Sequence, residues 1–229
     1  MVNLIFLGAP GAGKGTQAQE LKRLFGFEHI STGELLRKKK QSQDEISHKI
    51  RMYMDRGELV PDKIVFEVLR QAINEKNVKG FIFDGFPRNL TQAKELEKLL
   101  EGNGMGLHKV LFFDVSRDVS VQRLSGRRVC NKCGANFHIE NMPPKKEGVC
   151  DFCGGVLMQR KDDTPEVIEQ RWMSFYEQTK PLIDYYQEKG LLERVDANLA
   201  RQETFKNVLK VVESIKDDSA ELFTRNRDA

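Results

Sequence analysis

A chain of 229 residues, 31% charged and 39% hydrophobic, can bury a sizeable core and has the composition of a globular protein. Its net charge of +3 is too small to indicate nucleic-acid binding, and no apolar run reaches the roughly 18 residues of a membrane span. The apolar stretch 2–7 also lacks the basic lead-in of a secretory signal. We therefore expect a cytoplasmic protein with no membrane and no nucleic-acid partner.

Along the chain, apolar strands alternate with amphipathic helices. The sequence predicts buried strands at 2–7, 80–83, 110–115 and 191–195. Helical spacing of apolar residues predicts helices at 14–25, 64–73, 90–100, 119–124, 167–186 and 203–215. This alternation predicts an α/β fold in which helices cover both faces of a parallel sheet, with ligands at the carboxyl ends of the strands.

Two segments interrupt this alternation. Residues 31–60 read as a helical insert, with Ser31 or Thr32 capping its first helix and a second helix at 45–56. Residues 126–163 hold all four cysteines and no long periodic pattern. We therefore expect a core of 1–30, 61–125 and 164–216, inserts at 31–60 and 126–163, and a polar, mobile tail at 217–229.

The stretch GAPGAGKGT at 8–16 has the spacing of a phosphate-binding loop, with Gly8, Gly13 and Lys14 at the defining positions. Glycines let backbone amides turn toward an anion, and the helix that follows adds the positive end of its dipole. Gly15 stands where Ser or Thr usually follows the lysine, which excludes a hydroxyl–magnesium bond from that position. The alternative, a turn that happens to contain a lysine, is disfavoured by the strand before it and the helix after it.

A second motif, DGFPR at 84–88, follows the strand predicted at 80–83. A carboxylate at a strand end beside a phosphate loop supplies the hard oxygen ligand that magnesium and its waters require. The alternative is a capped turn in which Asp84 accepts hydrogen bonds from nearby amides. The presence of the phosphate loop favours the magnesium role.

Arginines are frequent at the junctions between predicted segments. Guanidinium groups bind phosphate oxygens bidentately and keep their charge when desolvated, so together they suit a site that neutralises two polyphosphates. The candidates are Arg37, Arg88, Arg123, Arg127, Arg128, Arg160 and Arg171.

The cysteines form two C-x2-C motifs, Cys130 with Cys133 and Cys150 with Cys153, separated by 16 residues. Four thiolates at this spacing can complete the tetrahedral shell of a structural zinc ion. Redox thiols or unconnected cysteines are the alternatives, and cobalt or iron could occupy the same ligands. Histidines 29, 48 and 108 show no partner signal and receive no role.

As a set, these motifs resemble adenylate kinase of the long-lid bacterial type with a zinc-bearing lid. The resemblance runs in order from residue 1 to about 200, through GAPGAGKGT, STGELLR (31–37), GELVPD (57–62), DGFPRNLTQA (84–93), GRRVCNKCG (126–134) and QRKDD (159–163). It implies a three-layer P-loop nucleoside monophosphate kinase with a five-stranded parallel sheet, an AMP-binding insert and a zinc lid. The implied reaction is reversible phosphoryl transfer from MgATP to AMP, giving two ADP, by a monomer that maintains adenine nucleotide balance.

The resemblance also implies residue roles. The catalytic residues would be Lys14, Asp84, Arg88, Arg123, Arg160 and Arg171. ATP would contact Gly11, Ala12, Gly13, Lys14, Gly15, Thr16, Arg123, Arg127, Asn136, Phe137 and Leu199. AMP would contact Thr32, Arg37, Glu58, Leu59, Val60, Gly85, Phe86, Pro87, Arg88, Gln92, Arg160 and Arg171. The Leu199 assignment departs from the family pattern, because Asp196-Ala197 replaces its usual Asp-Gly.

Two other functions fit part of the sequence. A pyrimidine monophosphate kinase shares the scaffold, but its family tends to carry alanine at Thr32 and asparagine at Gln92, and has a short lid. A zinc-ribbon module that binds nucleic acid is suggested by the basic residues of the insert, yet its two aromatics, Phe137 and Phe152, are too sparse for base stacking. The sequence does not fix the preference for ATP over GTP.

Overall fold

The computed structural model describes residues 1–73 and 78–225, with side chains described as far as Ile215. Its centre is a five-stranded parallel sheet of order β2-β3-β1-β4-β8. A separate antiparallel sheet has the order β6-β5-β7. The strands are β1 (Val2–Gly8), β2 (Glu28–Ser31), β3 (Gly80–Asp84), β4 (Lys109–Asp114), β5 (Arg127–Cys130), β6 (Asn136–His138), β7 (Leu157–Met158) and β8 (Leu192–Asp196).

Helices cover both faces of the parallel sheet. Successive residues of β1 point to opposite faces, so Ile5 enters one apolar cluster with Leu69 and Leu96, while Phe6 enters a second cluster. The three-layer α/β fold is therefore confirmed. The helices are α1 (Lys14–Phe25), α2 (Thr32–Lys39), α3 (Glu45–Asp55), α4 (Asp62–Ile73), α5 (Leu90–Gly102), α6 (Arg117–Ser125), α7 (Pro165–Ser174), α8 (Pro181–Glu188) and α9 (Arg201–Arg225).

The short strands β5, β6 and β7 were not predicted, and within the α/β core three further elements differ from the predictions made from apolar periodicity. Strand β2 was not predicted, because it is a four-residue edge strand that begins with the polar pair Glu28 and His29. The helix predicted at 167–186 is divided, since a π-helical turn at Phe175–Thr179 and Pro181 separate α7 from α8. Helix α9 continues beyond residue 215 to Arg225, and residues 226–229 of the predicted tail lie outside the described part of the chain.

The antiparallel sheet β5–β7 encloses a small apolar cluster of its own. Cys130, Phe137, Cys150 and Leu157 are buried in it, apart from the two clusters of the parallel sheet. The sequence segment without long periodicity therefore folds around cysteines and one aromatic ring. Among residues 1–73 and 78–225, no helix has the length and apolar character needed to cross a membrane.

Candidate active site

The loop between β1 and α1 forms the floor of the site. Gly11 and Gly13 have φ angles of 81° and 86°, in the left-handed region that favours glycine, and α1 begins directly after them at Lys14. The Lys14 ammonium donates hydrogen bonds to the carbonyl oxygens of Gly8 at 2.8 Å and Ala9 at 2.9 Å. The lysine is therefore held at the open end of the loop, beside the amino terminus of α1.

Electrostatics at this loop are set by Lys14 and Asp84. Burial lowers the pKa of Lys14 to about 8, although the Asp84 carboxylate opposes the shift. Asp84 ends β3, in register with Phe6 of β1, and so lies next to the loop. A Cβ atom on Gly15 would lie 3.2 Å from Asp84 Oδ2. The glycine at this position thus leaves room between the loop and the carboxylate.

His29 is a site residue that sequence reasoning missed. Its Nε2 lies 3.1 Å from Asp84 Oδ2, and its Nδ1 lies 3.1 Å from Gln19 Nε2. A neutral ring with its proton on Nε2 satisfies both contacts, donating to the carboxylate and accepting from the amide. Burial raises the pKa of Asp84, but the hydrogen bond from His29 and the charges of Lys14 and Arg88 outweigh burial and leave that pKa below its usual value. His29 had no signal in the sequence, because its role depends on its place in β2, and the periodicity of apolar residues did not predict that strand.

Arginines surround a cavity of about 610 Å³ above the phosphate loop. Burial, with neighbouring guanidinium groups adding to it, lowers the pKa of Arg88 to about 10 and that of Arg160 to about 9. Both remain charged at neutral pH. The arginines that line this cavity are Arg37, Arg88, Arg123, Arg127, Arg160, Arg171 and Arg201, of which only Arg201 was not a candidate from the sequence. Arg128 does not line it, and its guanidinium instead donates to the carbonyls of Ser125 and Arg127.

Asp163 orients two of these arginines. Its side chain is fully buried, and its carboxylate accepts from Arg127 Nε at 2.8 Å and from Arg171 NH1 at 3.1 Å. Neighbouring Asp162 pairs with Arg171 at 3.4 Å. These two carboxylates offset part of the positive charge of the arginines. In the sequence, the only indication of their role was the acidic pair at the end of QRKDD.

Hydrogen bonds to other parts of the chain hold Arg123, Arg88 and Arg160 in place. Arg123 donates to the carbonyls of Ala197 at 2.7 Å and Leu199 at 3.1 Å, so it fixes the loop that follows β8. Thr179 of the π-helical turn donates its hydroxyl to the Arg88 carbonyl at 3.0 Å. Arg160 bonds the side chain of Asn136 at 3.2 Å. Thr179 had no sequence signal, because its role depends on the unpredicted turn.

A smaller cavity of about 70 Å³ adjoins the first. The two share several lining residues, including Arg37, Arg88 and Arg171, so two ligands placed in them would meet at these arginines. Each nucleotide-contact residue suggested by the resemblance lines one cavity or both. Those that line only the smaller one are Thr32, Glu58, Val60, Phe86 and Gln92. Those that line only the larger one are Gly11, Ala12, Gly13, Lys14, Gly15, Thr16, Asp84, Pro87, Arg123, Arg127, Asn136, Phe137, Arg160 and Leu199.

The four cysteines form a compact group away from both cavities, with all sulfur atoms within 4.8 Å of one another. Cys130 Sγ lies 3.4 Å from Cys153 Sγ, and Cys133 Sγ lies 3.6 Å from Cys150 Sγ. A zinc tetrahedron with bonds of about 2.3 Å has sulfur–sulfur edges of about 3.8 Å, so the donor set fits. The Cys133 amide donates to Cys130 Sγ, and this bond lowers the pKa of that thiol to about 6.

Parallel sheets of this kind bind ligands at the carboxyl ends of their strands. In this chain a glycine loop and a set of charged arginines lie together at that edge of the sheet. This arrangement defines the class of P-loop nucleoside monophosphate kinases. The family model described as adenylate kinase matches residues 6–191. The chain belongs to the adenylate kinase family.

Individual relatives agree with the family match. The chain is 48% identical to an adenylate kinase of Caldicellulosiruptor saccharolyticus over 212 residues, which cover 92% of this chain and 99% of the relative. It is 44% identical to an adenylate kinase of Thermotoga maritima over 214 residues, 93% of this chain and 97% of the relative. An adenylate kinase of Clostridium tetani is 42% identical over 215 residues, 93% of this chain and 100% of the relative.

Proposed function

We propose that this protein transfers the γ-phosphoryl group of MgATP reversibly to AMP, giving two ADP. The observation that carries the proposal is the pair of adjoining cavities that meet at Arg37, Arg88 and Arg171. The larger cavity begins at the phosphate loop and suits a triphosphate. The smaller one, at about 70 Å³, marks the place of the second nucleotide and must open further to admit a nucleoside monophosphate. The family membership supports the same reaction.

In this proposal the chain acts chiefly by charge placement. Phosphoryl transfer passes through a loose transition state, so the protein has little covalent chemistry to perform. Lys14 follows the moving group, and Arg88, Arg123, Arg160 and Arg171 neutralise the charge that spreads over its oxygens. Their burial strengthens this effect, because charge interactions are less screened in a site from which water is excluded.

Magnesium would reach the site with the substrate ATP, and Asp84 is the residue suited to it. The carboxylate is ionised, lies beside the phosphate loop and is oriented by His29. Mg²⁺ prefers hard oxygen ligands and keeps several waters, so one carboxylate next to the phosphates is sufficient. The ion would supply Lewis-acid neutralisation of the phosphate oxygens.

We further propose that the inserts 31–60 and 126–163 close over the two substrates and keep water from intercepting the phosphoryl group. The adenylate kinase lid is a standard example of such gating. The four cysteines would hold a structural zinc ion that makes the second insert rigid without taking part in the chemistry. A reduced zinc–thiolate site accords with a cytoplasmic location. By analogy with the family we infer a monomer.

The acceptor decides between this proposal and a pyrimidine nucleotide kinase. Initial rates should be measured with AMP, CMP and UMP as acceptors, and with ATP and GTP as donors. We expect AMP to have the highest kcat/KM, because Thr32 and Gln92 line the smaller cavity. Faster turnover of CMP or UMP would identify the pyrimidine kinase instead, and the GTP arm reports the donor preference.

A further inference from the structure

A chain of hydrogen bonds connects α7 to the phosphate loop through α6. The indole Nε1 of Trp172 donates to Ser120 Oγ at 3.0 Å, and the Ser120 hydroxyl donates to the Pro10 carbonyl. Ser120 is fully buried and Trp172 nearly so. The direction of the chain is fixed, since an indole N–H can only donate, a carbonyl can only accept, and a hydroxyl does both.

The phosphate loop rests directly on Ser120. A Cβ atom on Gly11 would lie 2.7 Å from both the carbonyl oxygen and the hydroxyl oxygen of Ser120. Glycine at position 11 therefore permits the loop backbone to approach α6, in addition to supplying its left-handed φ angle. Any shift of Ser120 would move the loop with it.

The same two residues sit beside two of the cations proposed to act in phosphoryl transfer. Arg123 follows Ser120 by three residues on α6, and Arg171 directly precedes Trp172 on α7. We propose that Ser120 and Trp172 are positioning residues. They hold the phosphate loop, Arg123 and Arg171 in fixed positions relative to one another around the triphosphate. This inference rests on the proposed kinase function and extends it to residues that do not touch substrate.

A buried hydrogen bond can also act only on stability, so the test must separate the two roles. Ser120→Ala removes the central hydroxyl. Trp172→Phe removes the N–H but keeps a ring to pack against Tyr176 and Phe175, whose rings lie 5.4 and 6.3 Å from that of Trp172. Tyr185→Phe is the matched control, because it removes a hydroxyl that donates from α8 to Glu97 of α5 at 3.0 Å, and neither residue lines a cavity.

The kinetic experiment measures kcat, both KM values and the melting temperature of each variant. We expect Ser120→Ala and Trp172→Phe each to raise the KM for MgATP roughly three- to tenfold and to lower kcat. The KM for AMP should rise less, because of the positioned groups only Arg171 also lines the smaller cavity. The double variant should lose little more than either single one, because both break the same chain. Tyr185→Phe should lower only the melting temperature. Kinetic constants within about twofold of the wild type in Trp172→Phe, or in a folded Ser120→Ala, would overturn the proposal.

Fluorescence gives a second readout that does not need turnover, because Trp172 is the only tryptophan of the chain. MgATP should change Trp172 emission in the wild type, AMP alone should change it less, and Ser120→Ala should lose most of the MgATP response. Equal MgATP responses in the wild type and Ser120→Ala would contradict the chain. A wild-type protein that phosphorylates no AMP would refute the proposed function, while this titration would still test the hydrogen bonds.

Discussion

At the scale of single residues, the site depends on buried charged side chains that hydrogen bonds already hold in position. Lys14 is anchored by two carbonyl oxygens while its pKa is lowered to about 8. Asp84 is oriented by His29, and Asp163 aligns two arginines. Because these groups are already oriented, binding a polyphosphate requires little further reorganisation of charge.

The lowered pKa of Lys14 predicts a pH dependence for MgATP binding. Bound phosphates favour the charged ammonium, so binding is linked to proton uptake wherever the free lysine is neutral. Affinity should be nearly constant below pH 8 and fall as pH rises above about 8, by up to about tenfold per unit for a single proton. Isothermal titration calorimetry from about pH 7 to about pH 9.5 measures the affinity for MgATP on both sides of the Lys14 pKa of about 8.

Lys14→Met is the control for this measurement. It should bind MgATP weakly with no step near pH 8, and turnover should drop by at least about 100-fold while the fold is retained. The same pH slope in this variant, or a flat wild-type profile, would show that another group is responsible. An active Lys14→Met would contradict the proposed mechanism.

Residues that the sequence groups by a motif of fixed spacing lie together in the structure. The phosphate loop and the cysteine motifs are local, so their neighbours in sequence are their neighbours in space. His29 meets Asp84 across 55 residues, and Ser120 meets Pro10 across 110. Such contacts depend on strand order and helix packing, which a single sequence does not disclose.

At the scale of elements, the π-helical turn brings two distant side chains to the same face. In a continuous α-helix, Arg171 and Thr179 would lie about 80° apart, because each residue turns the helix by about 100°. The π turn, closed by the bond from Lys180 N to Phe175 O, absorbs one residue and reduces this angle to about 20°. Arg171 and Thr179 can therefore both face the cavity that they line.

Loss of the Thr179 hydroxyl tests this arrangement. Thr179→Val keeps the shape but removes the donor to the Arg88 carbonyl, so Arg88 should be less well held. We expect the KM for AMP to rise about three- to tenfold and the KM for MgATP to stay within about twofold, measured by steady-state kinetics. Thr179→Ser keeps the hydroxyl and should behave like the wild type. Equal constants for the serine and valine variants would rule out the hydrogen bond as the cause.

Elements with strong apolar patterns were predicted well, and those without were not. Four buried strands and α1 fell close to their predicted places, because burial on both faces of a parallel sheet leaves continuous apolar runs. The edge strand β2 and the π turn carry no such pattern. Their existence depends on neighbours that are remote in sequence.

At the scale of the whole molecule, the insert with the cysteines has its own small core. Its buried residues are separate from the two clusters that cover the parallel sheet. An insert with so few buried side chains needs another source of stability, and structural zinc contributes roughly 10–16 kcal/mol in small finger peptides. The proposed zinc ion would supply it, so loss of this metal should make the insert unfold at a lower temperature than the rest of the chain.

Replacing one ligand tests this independence. Cys130→Ser should lower the bound zinc per chain and produce a separate transition at lower temperature in calorimetry, with the main transition little changed. Turnover at room temperature should stay within about twofold, since no zinc-bound water takes part in the proposed reaction. Asn131→Ser, an exposed change in the same motif, is the control. Retained metal and melting behaviour together with lost turnover would disprove the structural role.

The grip of Arg123 on the loop after β8 has a consequence for how this protein can evolve. The guanidinium holds the carbonyls of Ala197 and Leu199, and every amino acid carries a carbonyl. A different side chain at 199 keeps its carbonyl in reach of Arg123, so the hydrogen bond itself places no selection on that residue. Position 197 is fully buried, so there selection acts on the size of the side chain and not on the carbonyl that Arg123 holds. The course of the cavity wall therefore depends on preservation of the arginine.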